Sequence, residues 1–156
     1  MVGADGYNIQ QAMSNNTKPH IILIPGAWHS ADSYDLLLPY LRTNGYAVTA
    51  VDLPSVGAEP PIKSLQPEID HIRGITLPLL DQGKDIVVVM HSYAGVAGSS
   101  SLFGLSKDER LAIGLPGGVT ALVYLCAWMV PEGQSVRSAG GGQGGKGGSK
   151  RVRQEV

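Results

Sequence analysis

The chain has 156 residues, 43% of them hydrophobic, and a formal net charge of −1. That is enough for one compact domain with a core and too little for two, and the near-balanced charge excludes a global bias toward nucleic acid or acidic surfaces. The single cysteine, Cys126, excludes an internal disulfide and fits a reducing compartment. The start, Met1 to Tyr7, lacks a basic stretch followed by an apolar run. No apolar stretch reaches the roughly 18–20 residues of a membrane helix. The expectation is a soluble, cytoplasmic chain with no membrane partner.

Residues 1–18 are polar and aperiodic and read as a flexible lead-in. Pro19-His20-Ile21-Ile22-Leu23-Ile24-Pro25 is a short unbroken apolar run between prolines, the pattern of a strand buried on both faces. Gly26 to Ser30 forms the loop after it, and Ser30 or Asp32 can cap the helix that follows. Tyr34, Leu37, Leu38 and Leu41 recur at helical spacing over 33–41, and Asn44-Gly45 stops that helix. Tyr46 to Asp52 reads as a second strand. Pro54, Gly57, Pro60 and Pro61 make residues 54–64 loop. A second helix is predicted over 64–81, with Leu65, Ile69, Ile72 and Ile75 on its apolar face and Pro78 weakening or bending its last turn. Asp85 to Met90 is the clearest strand, and a tight turn over 91–95 leads into a helix of small residues. Ser106-Lys107-Asp108-Glu109 has the serine-then-acid signature of a capped helix start. A fourth strand lies within Val119–Val130, and Tyr124 and Trp128 read most simply as core. Residues 137–156, of which 139–150 are almost all glycine, serine, glutamine and lysine, cannot offset their ordering entropy and read as a disordered basic tail. Strands alternating with helices at this spacing predict an α/β fold, a mostly parallel sheet with helices on both faces.

The chemistry is carried by Val88-Val89-Met90-His91-Ser92-Tyr93-Ala94-Gly95. A serine between a strand and a helix, followed two residues later by a small side chain, fits a nucleophile elbow. Met90 stands where that turn commonly has glycine. A serine hydroxyl needs a base, an orienting acid and donors for the oxyanion. The Tyr93 N–H, at a helix start, is one candidate donor. The Ala27 N–H in the loop after the first strand is the other, with Gly26 permitting close backbone approach. Trp28 and His29 are candidates for the pocket wall. Asp52, at the end of the second strand, reads as a loop-capping carboxylate.

Leu23-Ile24-Pro25-Gly26-Ala27-Trp28-His29, Ala50-Val51-Asp52-Leu53-Pro54-Ser55-Val56-Gly57 and Val89 to Gly95, in this order, resemble the α/β-hydrolase superfamily. The similarity is closest to its small esterase-like branch, which includes methylesterases and hydroxynitrile lyases. The resemblance covers about 19–136 and implies the N-terminal half of such a domain. It implies Ser92 as nucleophile, Ala27 and Tyr93 as oxyanion donors, Gly26, Trp28 and His29 around a small ester-like substrate, and no cofactor. Lyase chemistry on the same scaffold stays open. Pro25 stands where many members carry histidine.

The family's order is serine, acid, histidine, yet His20, His29, His71 and His91 all precede Ser92. Glu132, just after the fourth strand, is a weak candidate acid. The triad therefore cannot be completed in the usual order within this sequence. Two functions follow: an ester hydrolase impaired by the missing histidine, or a non-catalytic relative serving as a binding or interaction module. In a truncated domain, Val119–Val130 would be an exposed edge strand available for self-association. Gly140 to Lys146 superficially resembles a phosphate loop, but Gly147 replaces the required hydroxyl residue, and neither a strand nor a helix flanks the segment. No metal-ligand spacing appears.

Overall fold

The computed structural model describes residues 18–139. Except for Lys18, the proposed lead-in lies outside the described residues, as does the tail from residue 140. Four strands, β1 (His20–Ile24), β2 (Val48–Ala50), β3 (Asp85–His91) and β4 (Gly118–Leu125), form one sheet in the order β2-β1-β3-β4. Every pairing is parallel, with Ile22 beside both Thr49 and Val88, and Val88 beside Leu122. β1 is buried along its whole length, as its unbroken run of branched residues requires in an inner strand.

The helices are α1 (Leu37–Thr43), α2 (Gln66–Asp81), α3 (Ala94–Ser101), α4 (Lys107–Ala112) and α5 (Val136–Ala139). α5 runs into the stretch assigned to the tail. β1 to β2 steps one way across the sheet, and β2 to β3 and β3 to β4 step the other way. Right-handed crossovers then put α1 on one face and α2, α3 and α4 on the opposite face. On that second face Ile22, Ile24, Ile86, Val88 and Met90 meet Ile72 and Leu80 of α2 and Ala94 and Ala97 of α3. Burial of each large aliphatic side chain there contributes roughly 1.5–3 kcal/mol.

Four local features differ from the sequence expectation. The first helix is split into a 3₁₀ turn, Ala31–Tyr34, and α1. Pro39 explains the break, because in a continuous helix its ring would collide with the Asp35 carbonyl. In the first turn of a restarted helix its missing N–H costs nothing. Ser30 occupies the cap position with extended backbone but makes no side-chain bond; Asp52 Oδ1 accepts from the Ala31 amide instead, at 2.7 Å. The buried stripe of α2 is Glu68, Ile72, Thr76 and Leu80, while Leu65 and Ile75 pack at its margin. Pro78 lies inside α2 without ending it. β4 stops at Leu125, where Cys126 turns to a φ of +45°. Trp128 then lies in the following loop, 42% exposed rather than in the core. Tyr124 packs against the core, and its hydroxyl lies 2.8 Å from that of Ser99.

Candidate active site

The reversal in strand order falls between β1 and β3. In open parallel sheets the loops leaving the carboxyl ends of two such strands diverge to opposite faces and open a crevice between them. Here those loops are Pro25 to Ser30 and the turn at Ser92.

Ser92 is half-buried between the end of β3 and the start of α3, with a φ of +54°. A residue with a Cβ enters this left-handed region only when its surroundings hold it there. Two hydrogen bonds to the end of β4 and the loop after it do so: Ser92 N–H donates to Leu125 O at 3.2 Å, and Trp128 N–H donates to Ser92 O at 3.0 Å. Gly26 closes the other side. A Cβ there would lie 3.0 Å from His91 Nδ1 and 3.1 Å from Ser92 Cβ, so a side chain would press on both. The helix start needs the same economy. A Cβ on Gly95 would lie 2.3 Å from Trp128 O, so this glycine lets α3 seat against the loop after β4.

Trp28, in the loop after β1, also has a left-handed φ, +65°. Its ring is 91% exposed and lines a cavity of about 450 Å³ together with Ala27, Tyr93, Ser55, Ile62 and Ser64. The structure thus brings Gly26 against Ser92, and Ala27, Trp28 and Tyr93 onto one cavity. No loop or turn carbonyl among the described residues takes the Ala27 or Tyr93 amide. His29 Nδ1 lies 2.8 Å from Ala27 O. A carbonyl only accepts, so Nδ1 is the donor in this contact. The His29 and His91 rings meet edge-on, 6.2 Å between centroids. Among the described residues no side chain is hydrogen-bonded to the Ser92 hydroxyl. Glu132 is not brought to this cavity; it lines a separate one of about 390 Å³ with Ser99, Ser100, Phe103 and Val130. No cluster of three or more metal-ligating side chains occurs among the described residues.

Sequence reasoning missed Ser55, Ile62 and Ser64 on the cavity wall, and it missed Glu68. Glu68 is fully buried, and the Tyr93 hydroxyl donates to its Oε2 at 2.7 Å. Burial first, then the hydrogen bond and the charge of Glu68, raise the Tyr93 pKa well above the ordinary tyrosine value. The available signal was spacing: Glu68 sits four residues before Ile72 on the buried stripe.

A three-layer parallel α/β arrangement with a strained serine at the switch-point crevice defines the class as hydrolase-like. The comparisons with known proteins agree: residues 21–153 match the alpha/beta hydrolase family, and the chain belongs to it. It is 35% identical over 122 residues to an alpha/beta hydrolase of Aspergillus novofumigatus, covering 76% of this chain and 47% of the relative. It is 29% identical over 124 residues to a rice esterase (Oryza sativa subsp. japonica), covering 75% of this chain and 41% of that protein. Among solved structures, tomato methylketone synthase I superposes with a TM-score of 0.58 at 23% identity, over 74% of this chain and 42% of that one, a likeness of fold. The chain thus spans about half the length of the curated relatives it matches.

Proposed function

We propose that the chain carries the nucleophile and oxyanion half of a serine hydrolase site for a carboxylic ester or similar small acyl compound. In this reading the Ser92 oxygen bonds to the acyl carbon, the ester C–O bond breaks, and the leaving alcohol takes a proton. Water then releases the acid and regenerates the serine. The Ala27 and Tyr93 amides hold the negative charge that develops on the acyl oxygen, and Gly26, Trp28 and His29 shape the approach. The observation that carries the reading is Ser92 itself. Its strained non-glycine φ stands at the end of a central strand, beside a cavity lined by both candidate donor residues, and strain of this kind gathers at functional sites.

The proton from Ser92 has no side-chain acceptor in place among the described residues, so acylation in this chain depends on solvent and is slow. Loss of the histidine of a triad typically removes several orders of magnitude of rate. The test is covalent labelling with a fluorophosphonate probe, followed by intact mass and peptide mapping. We expect slow, stoichiometric modification at Ser92 that is absent in Ser92→Ala. Modification elsewhere, or none at probe concentrations that saturate a full-length relative within minutes, would overturn the assignment.

A further inference from the structure

Glu68 is a charged side chain with no exposure, set in the first turn of α2 among the apolar residues of the core. Only one of its oxygens is engaged: Oε2 accepts from the Tyr93 hydroxyl at 2.7 Å, and Oε1 has no partner among the described residues. An apolar residue would fill this space without the desolvation cost of a half-satisfied carboxylate. What the carboxylate supplies here that an apolar residue does not is a strong acceptor, and something in the fold uses it.

That something is the location of Tyr93. Residue 93 follows the strained Ser92 and precedes α3, whose start has no side-chain cap. The peptide before Ser92 is tied to the end of β4 by the Ser92 N–H bond to Leu125 O, and the peptide between Ser92 and Tyr93 is tied to the loop after β4 by the Trp128 N–H bond to Ser92 O. At residue 93 itself, the Tyr93–Glu68 bond adds a side-chain anchor that ties the elbow to α2. The same helix follows directly from Ser64, on the wall of the cavity that Tyr93 also lines. The hydroxyl stays protonated through any working pH and so remains the donor of this pair.

We infer that Glu68 is a positioning residue: by accepting the Tyr93 hydroxyl it acts together with the Trp128–Ser92 backbone bond to fix the orientation of the peptide between Ser92 and Tyr93, and with it the Tyr93 amide offered to the acyl oxygen. The inference rests on the hydrolase reading of Ser92 for its chemical meaning and on the Glu68–Tyr93 geometry alone for its structural content.

The experiment compares wild type, Tyr93→Phe, Glu68→Ala, Glu68→Gln and the Glu68→Ala/Tyr93→Phe double variant. Two quantities are read on the folded proteins: the second-order rate of fluorophosphonate labelling at Ser92, and hydrogen exchange of the 91–96 segment. Exchange is corrected for global stability from urea midpoints. Tyr93→Phe and Glu68→Ala should each slow labelling about tenfold, less than the roughly 10²–10³ lost when an oxyanion donor is removed outright. The double variant should be no slower than either single one, because both break one contact. Glu68→Gln, whose carbonyl still accepts the hydroxyl, should stay within about threefold of wild type. Should Glu68→Ala fail to fold, Tyr93→Phe, which deletes one oxygen atom, decides. Unchanged labelling in folded Tyr93→Phe, or additive losses in the double variant, would overturn the proposal. If wild type itself is not labelled, the Ser92 assignment fails separately. Exchange then decides: the 91–96 amides should exchange about tenfold faster in Tyr93→Phe at matched stability, and equal exchange rejects the anchor.

Discussion

Trp28, Ser92 and Cys126 are the described non-glycine residues with left-handed backbone, and each follows the carboxyl end of a strand, β1, β3 and β4 respectively. Strain of this kind costs about 1–2 kcal/mol per residue with a Cβ. Glycine would remove the strain at 92 and the hydroxyl with it. Ser92→Gly should therefore unfold at higher urea than Ser92→Ala, by about 1 kcal/mol, while both lose the labelled site. The reverse order would show that the turn is not strained. A second residue-scale effect comes from His20. Its ring is buried, with Nε2 2.8 Å from Thr49 Oγ1 and Nδ1 unpartnered among the described residues. Burial foremost, and the positive charge of Lys84, hold its pKa below the ordinary 6.5. The unfolded chain therefore takes up this proton first as pH falls. The stabilising contribution is complete above 6.5 and is lost as pH drops through the lower folded value. Urea midpoints of wild type and His20→Gln should run parallel above pH 7 and converge below about pH 6. A constant offset down to pH 5 would mean that the histidine is not titrating from a buried neutral state.

At the scale of elements, α4 shows how much local chemistry alone can decide. Ser106 Oγ accepts from the Glu109 amide at 3.3 Å, and Glu109 Oε2 takes the Ser106 amide at 3.2 Å, the reciprocal cap predicted from four consecutive residues. A six-residue helix has little else to stabilise its first turn. Ser106→Ala should cost about 1 kcal/mol in urea unfolding; a loss below a few tenths would show that packing of α4 on β4 carries the helix. β1, β3, the turn at Ser92 and this cap were legible because each is specified by adjacent residues: branched apolar runs, a serine followed by small side chains, a hydroxyl three residues before a carboxylate. What was not legible needed a partner distant in sequence. Asp52 is a loop-capping carboxylate as read from the sequence, but the amide it takes, that of Ala31, is set only because β2 lies beside β1. Glu68 carries no local signal of its role, because its partner lies 25 positions away. Trp128 reads as core by residue type, although the strand that would carry it there ends at Leu125 and the chain turns at Cys126.

For the whole molecule, the consequence lies at the sheet edge. β4 is bonded to β3 on one side, and on the other only its start is covered, where the Val119 amide donates to Leu105 O at 2.8 Å. From Thr120 to Leu125 the outer backbone groups face solvent among the described residues. Register puts Ala121, Val123 and Leu125 on the sheet face of Val87 and Val89, and all three are exposed. A free edge flanked by apolar side chains is the surface most readily matched by an identical edge, because two-fold pairing satisfies both rows of N–H and C=O groups at once. We therefore expect concentration-dependent self-association through β4, seen as a sedimentation coefficient that rises over the micromolar range. Val123→Lys should suppress it without lowering the urea midpoint by more than about 0.5 kcal/mol, since an exposed site tolerates a charge that a paired edge does not. A wild-type chain that stays monomeric across that range, or a Val123→Lys variant that associates equally well, would show that the edge is not the contact.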